Sequence, residues 1–170
     1  MLLRASAVQI LAALLQAATI PGLIGVGIRP ELPVVVTVGW ASLRGWAEGL
    51  FVGLVGGLVI DFMSAAPFGL NAVRMGMVGL AAGFVAGRLA RTTALFPVMA
   101  AGAGTILAFI IGVLGLQAAG WMVAWERALI APTLPNAALT ALCMAAALPL
   151  LRAIERRTLE DDEIVADVAA

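Results

Sequence analysis

Apolar residues dominate this chain in long blocks, and polar, charged or Pro/Gly-rich positions cut the blocks apart. Blocks of about 20 apolar residues predict helices that cross a bilayer, because a helix satisfies its own backbone there. Six stretches are legible: 5–26, 32–43, 46–62, 70–89, 94–121 and 129–151. The second is short for a span, so it is tilted, partly buried by neighbours, or extended through Gly45. The fifth can run on as an interfacial segment to Trp125. Arg4 ahead of an apolar run has the look of a signal peptide. The run is long enough to span and more spans follow, so it is read as a retained first helix.

Composition supports lipid as the solvent. The chain of 170 residues is 63% hydrophobic and 12% charged, with a mean hydropathy of +1.09. A soluble domain of this size could not hide so much apolar surface. The expected fold is an all-α integral membrane protein, a bundle of six transmembrane helices over 1–151 with a charged tail over 152–170. Every basic residue is an arginine. An even number of spans puts both termini on one side, with Arg4, Arg44, Arg88, Arg91, Arg152, Arg156 and Arg157. The other side carries Arg29, Arg127 and at most Arg74. That bias places both termini in the cytoplasm. In the tail, Ile154, Leu159, Ile164 and Val168 suit a short helix at the membrane surface. Its acidic run, Glu160 to Glu163, reads as a solvated tail or as a docking strip for a cytoplasmic partner.

The chemistry on offer is sparse. Histidine and tyrosine are absent, which removes the commonest proton shuttle and metal ligand. No catalytic triad and no Walker lysine can be assembled. An enzyme, a metal site, a cofactor and a nucleic-acid partner are therefore not expected. Cys143 sits in an apolar run and reads as a packing residue. Glu48 and Arg44 lie four apart and read as a helix-surface ion pair. Trp40, Trp46, Trp121 and Trp125 flank apolar runs and read as interface anchors.

The informative segment is 53–71, GLVGGLVIDFMSAAPFGLN. Asp61 closes an apolar, glycine-bearing run, and a carboxylate there marks function or a fixed partner. Ser64, Pro67, Gly69 and Asn71 form the turn that follows, so the third and fourth stretches are an antiparallel hairpin. Asp61 and Arg74 are expected to meet near the outer interface, as a structural clamp or as a socket for a partner. Asn71 can cap the fourth helix through its side-chain oxygen. Pro135 and Asn136 form a second polar pair, with Pro135 expected to free carbonyls inside the last span. Together these sites suggest a shallow polar crevice on the outer half. Gly53 and Gly57, and Gly79, Gly83 and Gly87, recur at helical spacing. They serve close packing within the bundle or the docking of a partner's transmembrane helix.

These residues resemble the MreD family, small membrane subunits of the bacterial cell-elongation machinery. Arg29-Pro30-Glu31-Leu32 is similar to the family's Pro-Asp/Glu-Leu entry to its second span. Residues 53–71 resemble its Gly-x-x-x-Gly-x-x-x-Asp-x-x-Ser-x-x-Pro-x-Gly-x-Asn core, and Pro135-Asn136 its terminal-helix pattern. The resemblance covers about residues 1–157, and neither Arg74 nor the acidic tail belongs to the family pattern. It implies a non-enzymatic scaffold that binds MreC, a bitopic protein, and acts through it on RodA and a class B penicillin-binding protein, with MreB on the cytoplasmic side. It also implies a fold like the six-helix substrate-binding subunits of energy-coupling-factor vitamin transporters. A transport subunit is therefore the rival reading, and Ala13-x-x-x-Ala17 matches the docking face such subunits use. The rival needs several convergent polar and aromatic groups for a vitamin, and the sequence is poor in them. An ion carrier built on Asp61 would have Arg74 as its single relay partner.

Overall fold

The computed structural model describes residues 2–23, 29–88, 95–122 and 133–168, with side chains over 2–17, 29–88, 95–122 and 133–153. Trp125, Arg91 and Arg127, and the side chains of the tail beyond Ala153, lie outside the described residues. Six helices make up the described chain: α1 (Leu2–Leu23), α2 (Leu32–Arg44), α3 (Trp46–Met63), α4 (Leu70–Arg88), α5 (Leu95–Ala118) and α6 (Thr133–Val168). No strand occurs among the described residues. The helices α3, α4, α5 and the Thr133–Ala153 part of α6 are each long and apolar enough to cross a membrane. The chain is thus a multi-pass membrane protein.

Successive helices run in opposite directions. Gln16 near the end of α1 meets the start of α2 at Leu32, α3 and α4 form a hairpin, and Arg74 early in α4 lies beside Gly112 late in α5. One end of the bundle, called distal here, is where α1, α3 and α5 finish and α2, α4 and α6 begin.

The short second helix sits at the centre. It has 13 residues, and every residue from Pro33 to Ser42 is buried. It packs against all five other helices. Val34, Val35, Val38 and Ala41 form the main core with Met75, Val78, Ala101, Ala108, Met144 and Leu151. At 1.5 Å per residue α2 is about 20 Å long, short of the roughly 30 Å hydrocarbon core. Its neighbours bury it, which is one of the three options the sequence leaves for this stretch.

The polarity is partly inverted relative to a soluble domain. Leu3, Leu11, Phe51, Phe84, Met99 and Leu142 point outward, while Gln9, Thr37, Ser42, Asp61, Thr105 and Thr140 are buried. Three of the buried hydroxyls return to their own helix, Ser42 donating to the Val38 carbonyl at 2.7 Å, Thr105 to the Ala101 carbonyl at 3.1 Å and Thr140 to the Asn136 carbonyl at 2.7 Å. Such bonds keep polar atoms out of lipid. The last helix does not stop where the apolar stretch ends at Leu151. It carries Pro149 internally and continues as one helix to Val168, through a run rich in Arg, Glu and Leu, all good helix formers.

Candidate functional site

The hairpin between α3 and α4 is locked by one carboxylate. Asp61, 4% exposed, accepts hydrogen bonds from the backbone N–H groups of Gly69 (3.1 Å), Asn71 (3.0 Å) and Ala72 (3.0 Å). The Asn71 side-chain Nδ2 donates to it as well, at 3.0 Å. A helix begins with N–H groups that have no partner inside the helix. Here Asp61 takes two of them, those of Asn71 and Ala72. The Leu70 N–H donates to the Pro67 carbonyl and the Val73 N–H to the Gly69 carbonyl. A negative charge at the positive end of α4 adds electrostatic stabilisation. The turn is completed by Ser64, whose Oγ accepts from the Ala66 N–H at 3.0 Å, and by Gly69, whose φ of 92° lies where L-residues are strained.

This geometry corrects the expected Asp61–Arg74 contact. The Asp61 oxygens are committed to the start of α4, and Arg74 turns instead toward Glu31, with Nη2 at 3.7 Å from Oε2. The cap of α4 is Asp61, and Asn71 supports it as a donor. Beyond the turn, Phe62 and Phe68 make an edge-to-face pair at 5.2 Å. They are 78% and 66% exposed, so an aromatic knob crowns the distal tip.

Glu31 and Arg74 belong to a cavity of about 450 Å³ at the distal end. It lies at the start of α2, where Arg29, Glu31 and Pro33 line it. A central helix too short to reach the distal surface accounts for this gap. Gln16, Ser64 and Asn71 also reach its wall, and Ile60 and Met63 of α3 and Phe109 and Leu116 of α5 make its apolar side. Of the residues expected to form an outer crevice, Ser64, Asn71 and Arg74 line this cavity, whereas Asp61, Pro135 and Asn136 do not, and Glu31 joins it without having been expected there.

The entry to α2 is held from two sides. The Leu32 N–H donates to Gln16 Oε1 at 3.2 Å, and the Glu31 N–H to Thr140 Oγ1 at 3.0 Å. The Arg29 N–H donates to Asn136 Oδ1 at 2.7 Å. Asn136 therefore anchors the segment leading into α2. Pro135 stands in the first turn of α6, where a missing N–H costs the helix nothing, so it frees no carbonyl inside the span as had been expected. Deeper in the bundle, Gln9 is fully buried, and its Nε2 donates to Thr37 Oγ1 at 3.1 Å and to the Pro33 carbonyl at 3.3 Å. Sequence reasoning passed over Gln9. Its signal in the sequence is an amide within an apolar helix, one of two in α1 with Gln16.

The glycines divide by face. A methyl group at Gly53 would meet the Met75–Gly76 backbone, and one at Gly57 the Asn71–Ala72 backbone. Gly79 faces the Gly49 backbone, and Gly83 faces the Gly45–Trp46 backbone. These four are the seam between α3 and α4. A methyl at Gly87 would meet nothing within 4 Å, so Gly87 lies off that seam. Ala13 faces inward, fully buried. Trp40 is also interior rather than an interface anchor, 2% exposed, with its Nε1 donating to Glu48 at 2.9 Å. Glu48 pairs with Arg44 at 3.4 Å, but across the break at Gly45, from the start of α3 to the end of α2, and not on one helix face as the spacing of four suggests. Trp46 and Trp121 are exposed, and Cys143 packs against the main core. No protein-family model, curated protein or solved structure matches this chain.

Proposed function

We propose that this chain is a non-enzymatic scaffold of the MreD type, a subunit of the bacterial cell-elongation complex in the inner membrane. Its direct partner is an MreC-like bitopic membrane protein, through which it supports RodA, a class B penicillin-binding protein and MreB-guided wall synthesis. The observation that carries this reading is the fate of the motif. Asp61, Ser64, Pro67, Gly69 and Asn71 all serve the α3–α4 turn, and that turn presents the exposed Phe62–Phe68 knob. A motif committed to building a rigid protrusion suits recognition by another protein better than it suits chemistry. Aromatic residues are favoured at the centres of protein interfaces.

The distal cavity gives the vitamin-transport reading its one specific support. Its polar groups argue against that reading. Gln16 and Asn71 are occupied by Leu32 and Asp61, so orientation would rest mainly on the Arg74–Glu31 pair, and a vitamin needs several convergent groups free to orient it. The deciding experiment is a mild-detergent purification of the chain from its native membrane, with mass spectrometry of what accompanies it. The scaffold reading expects a bitopic protein together with wall synthases, lost when Phe62 and Phe68 are both replaced by serine. Recovery of a coupling subunit with its ATPases would overturn it.

A further inference from the structure

The distal cavity holds a charge pair that the protein itself leaves incomplete. Arg74 and Glu31 approach no closer than 3.7 Å, beyond the usual 2.7–2.9 Å of a charge-assisted hydrogen bond. Arg74 Nε and Glu31 Oε2 are both buried without a hydrogen-bond partner. Removing such atoms from water is costly unless the bonds are replaced. A guanidinium has five N–H donors arranged in a fork that matches phosphate. Glu31 offers acceptors only. Beside the pair stands the apolar wall of Ile60, Met63, Phe109 and Leu116.

We propose that this cavity binds a zwitterionic headgroup carrying a phosphate and a primary ammonium, supplied by a phospholipid such as phosphatidylethanolamine. The phosphate lies against Arg74 and the ammonium against Glu31, so each charge gains a hydrogen-bonded partner in addition to the 3.7 Å contact between them. The start of the lipid's apolar portion follows the wall from α3 and α5. Selectivity comes from Glu31, because an anionic lipid without an ammonium would leave that carboxylate unpaired. This inference is independent of the scaffold reading, and its test uses the purified full chain with no partner.

The test is native mass spectrometry and thermal unfolding of the delipidated protein in detergent. Phosphatidylethanolamine, phosphatidylglycerol or free phosphoethanolamine is added back. Wild type is expected to retain phosphatidylethanolamine in preference to phosphatidylglycerol and to unfold at a higher temperature with it. Arg74→Gln should weaken retention about tenfold or more, the loss of one charge-assisted hydrogen bond. Glu31→Gln should abolish the preference between the two lipids. That preference is a readout a purely structural role for Glu31 would not move, and it remains measurable if Arg74→Gln does not assemble. Equal retention of both lipids by wild type would overturn the proposal. So would protection by free phosphoethanolamine alone, which would make the site one for a soluble zwitterion.

Discussion

At the scale of single residues, Asp61 carries the heaviest structural duty. Replacing it with alanine leaves the Gly69, Asn71 and Ala72 N–H groups without their acceptor. Each stranded buried donor costs about 1–3 kcal/mol, so Asp61→Ala is expected to lose about 3 kcal/mol or more. Asp61→Asn keeps one acceptor oxygen and should lose less. Denaturant titration in mixed micelles checks the order, and wild-type midpoints for both variants would refute the lock. Gln9→Leu is a milder case. It removes two interhelical bonds that in membrane proteins average about 0.6 kcal/mol and reach about 1.7 kcal/mol. A loss within that range is expected in the same titration, and a loss as large as that of Asp61→Ala would mean Gln9 does more than join α1 to α2. That Asp61 matters was legible from its place after an apolar run. Its partner was not, because a carboxylate can answer a cation or a row of backbone N–H groups, and the conformation at Gly69 decides which. Trp40 shows the same limit. A tryptophan near a helix end reads as an anchor until the Glu48 acceptor beside it is seen.

At the scale of helices, the blocks of apolar residues locate all six elements, because a charged residue or a Pro/Gly cluster punctuates every boundary in the first 120 residues. The sequence was less informative about α6, where Pro135 falls in the first turn and Pro149 lies inside the helix without ending it. Composition cannot tell those two positions apart; the helix start decides. The glycine spacing likewise announced close approach without saying to what. Packing resolves it into a testable contrast. Gly79→Ala pushes a methyl group into the Gly49 backbone, which cannot move aside as a side chain would, so α3 and α4 must separate. A loss of about 1–3 kcal/mol is expected, the usual cost of overpacking. Gly87→Ala meets open space and should be neutral or gain up to about 1 kcal/mol from helix propensity. Equal effects of the two substitutions, read by the same unfolding titration, would show that this seam does not depend on glycine. A partner's helix cannot use Gly79 or Gly83 while α3 occupies them, so the docking reading of that face loses its place.

At the scale of the molecule, a short buried helix organises the bundle. Because α2 is enclosed on all sides, the other five can spend their outer faces on lipid, and because it stops short of the distal surface a cavity opens above it. This arrangement depends on each helix reversing the direction of the last, which puts the α3–α4 turn and the end of α4 on opposite sides of the membrane. Ala65 and Arg88 are both exposed and mark those two places. In a Cys143→Ala background, Ala65→Cys and Arg88→Cys should therefore react with a membrane-impermeant maleimide from opposite sides. With the arginine bias setting the orientation, Ala65→Cys is the one labelled in intact spheroplasts and Arg88→Cys the one labelled in inverted vesicles. Labelling of both from one side would break the hairpin topology itself. Labelling from opposite sides in the reverse sense would keep the fold and turn the cavity, its charge pair and the aromatic knob toward the cytoplasm.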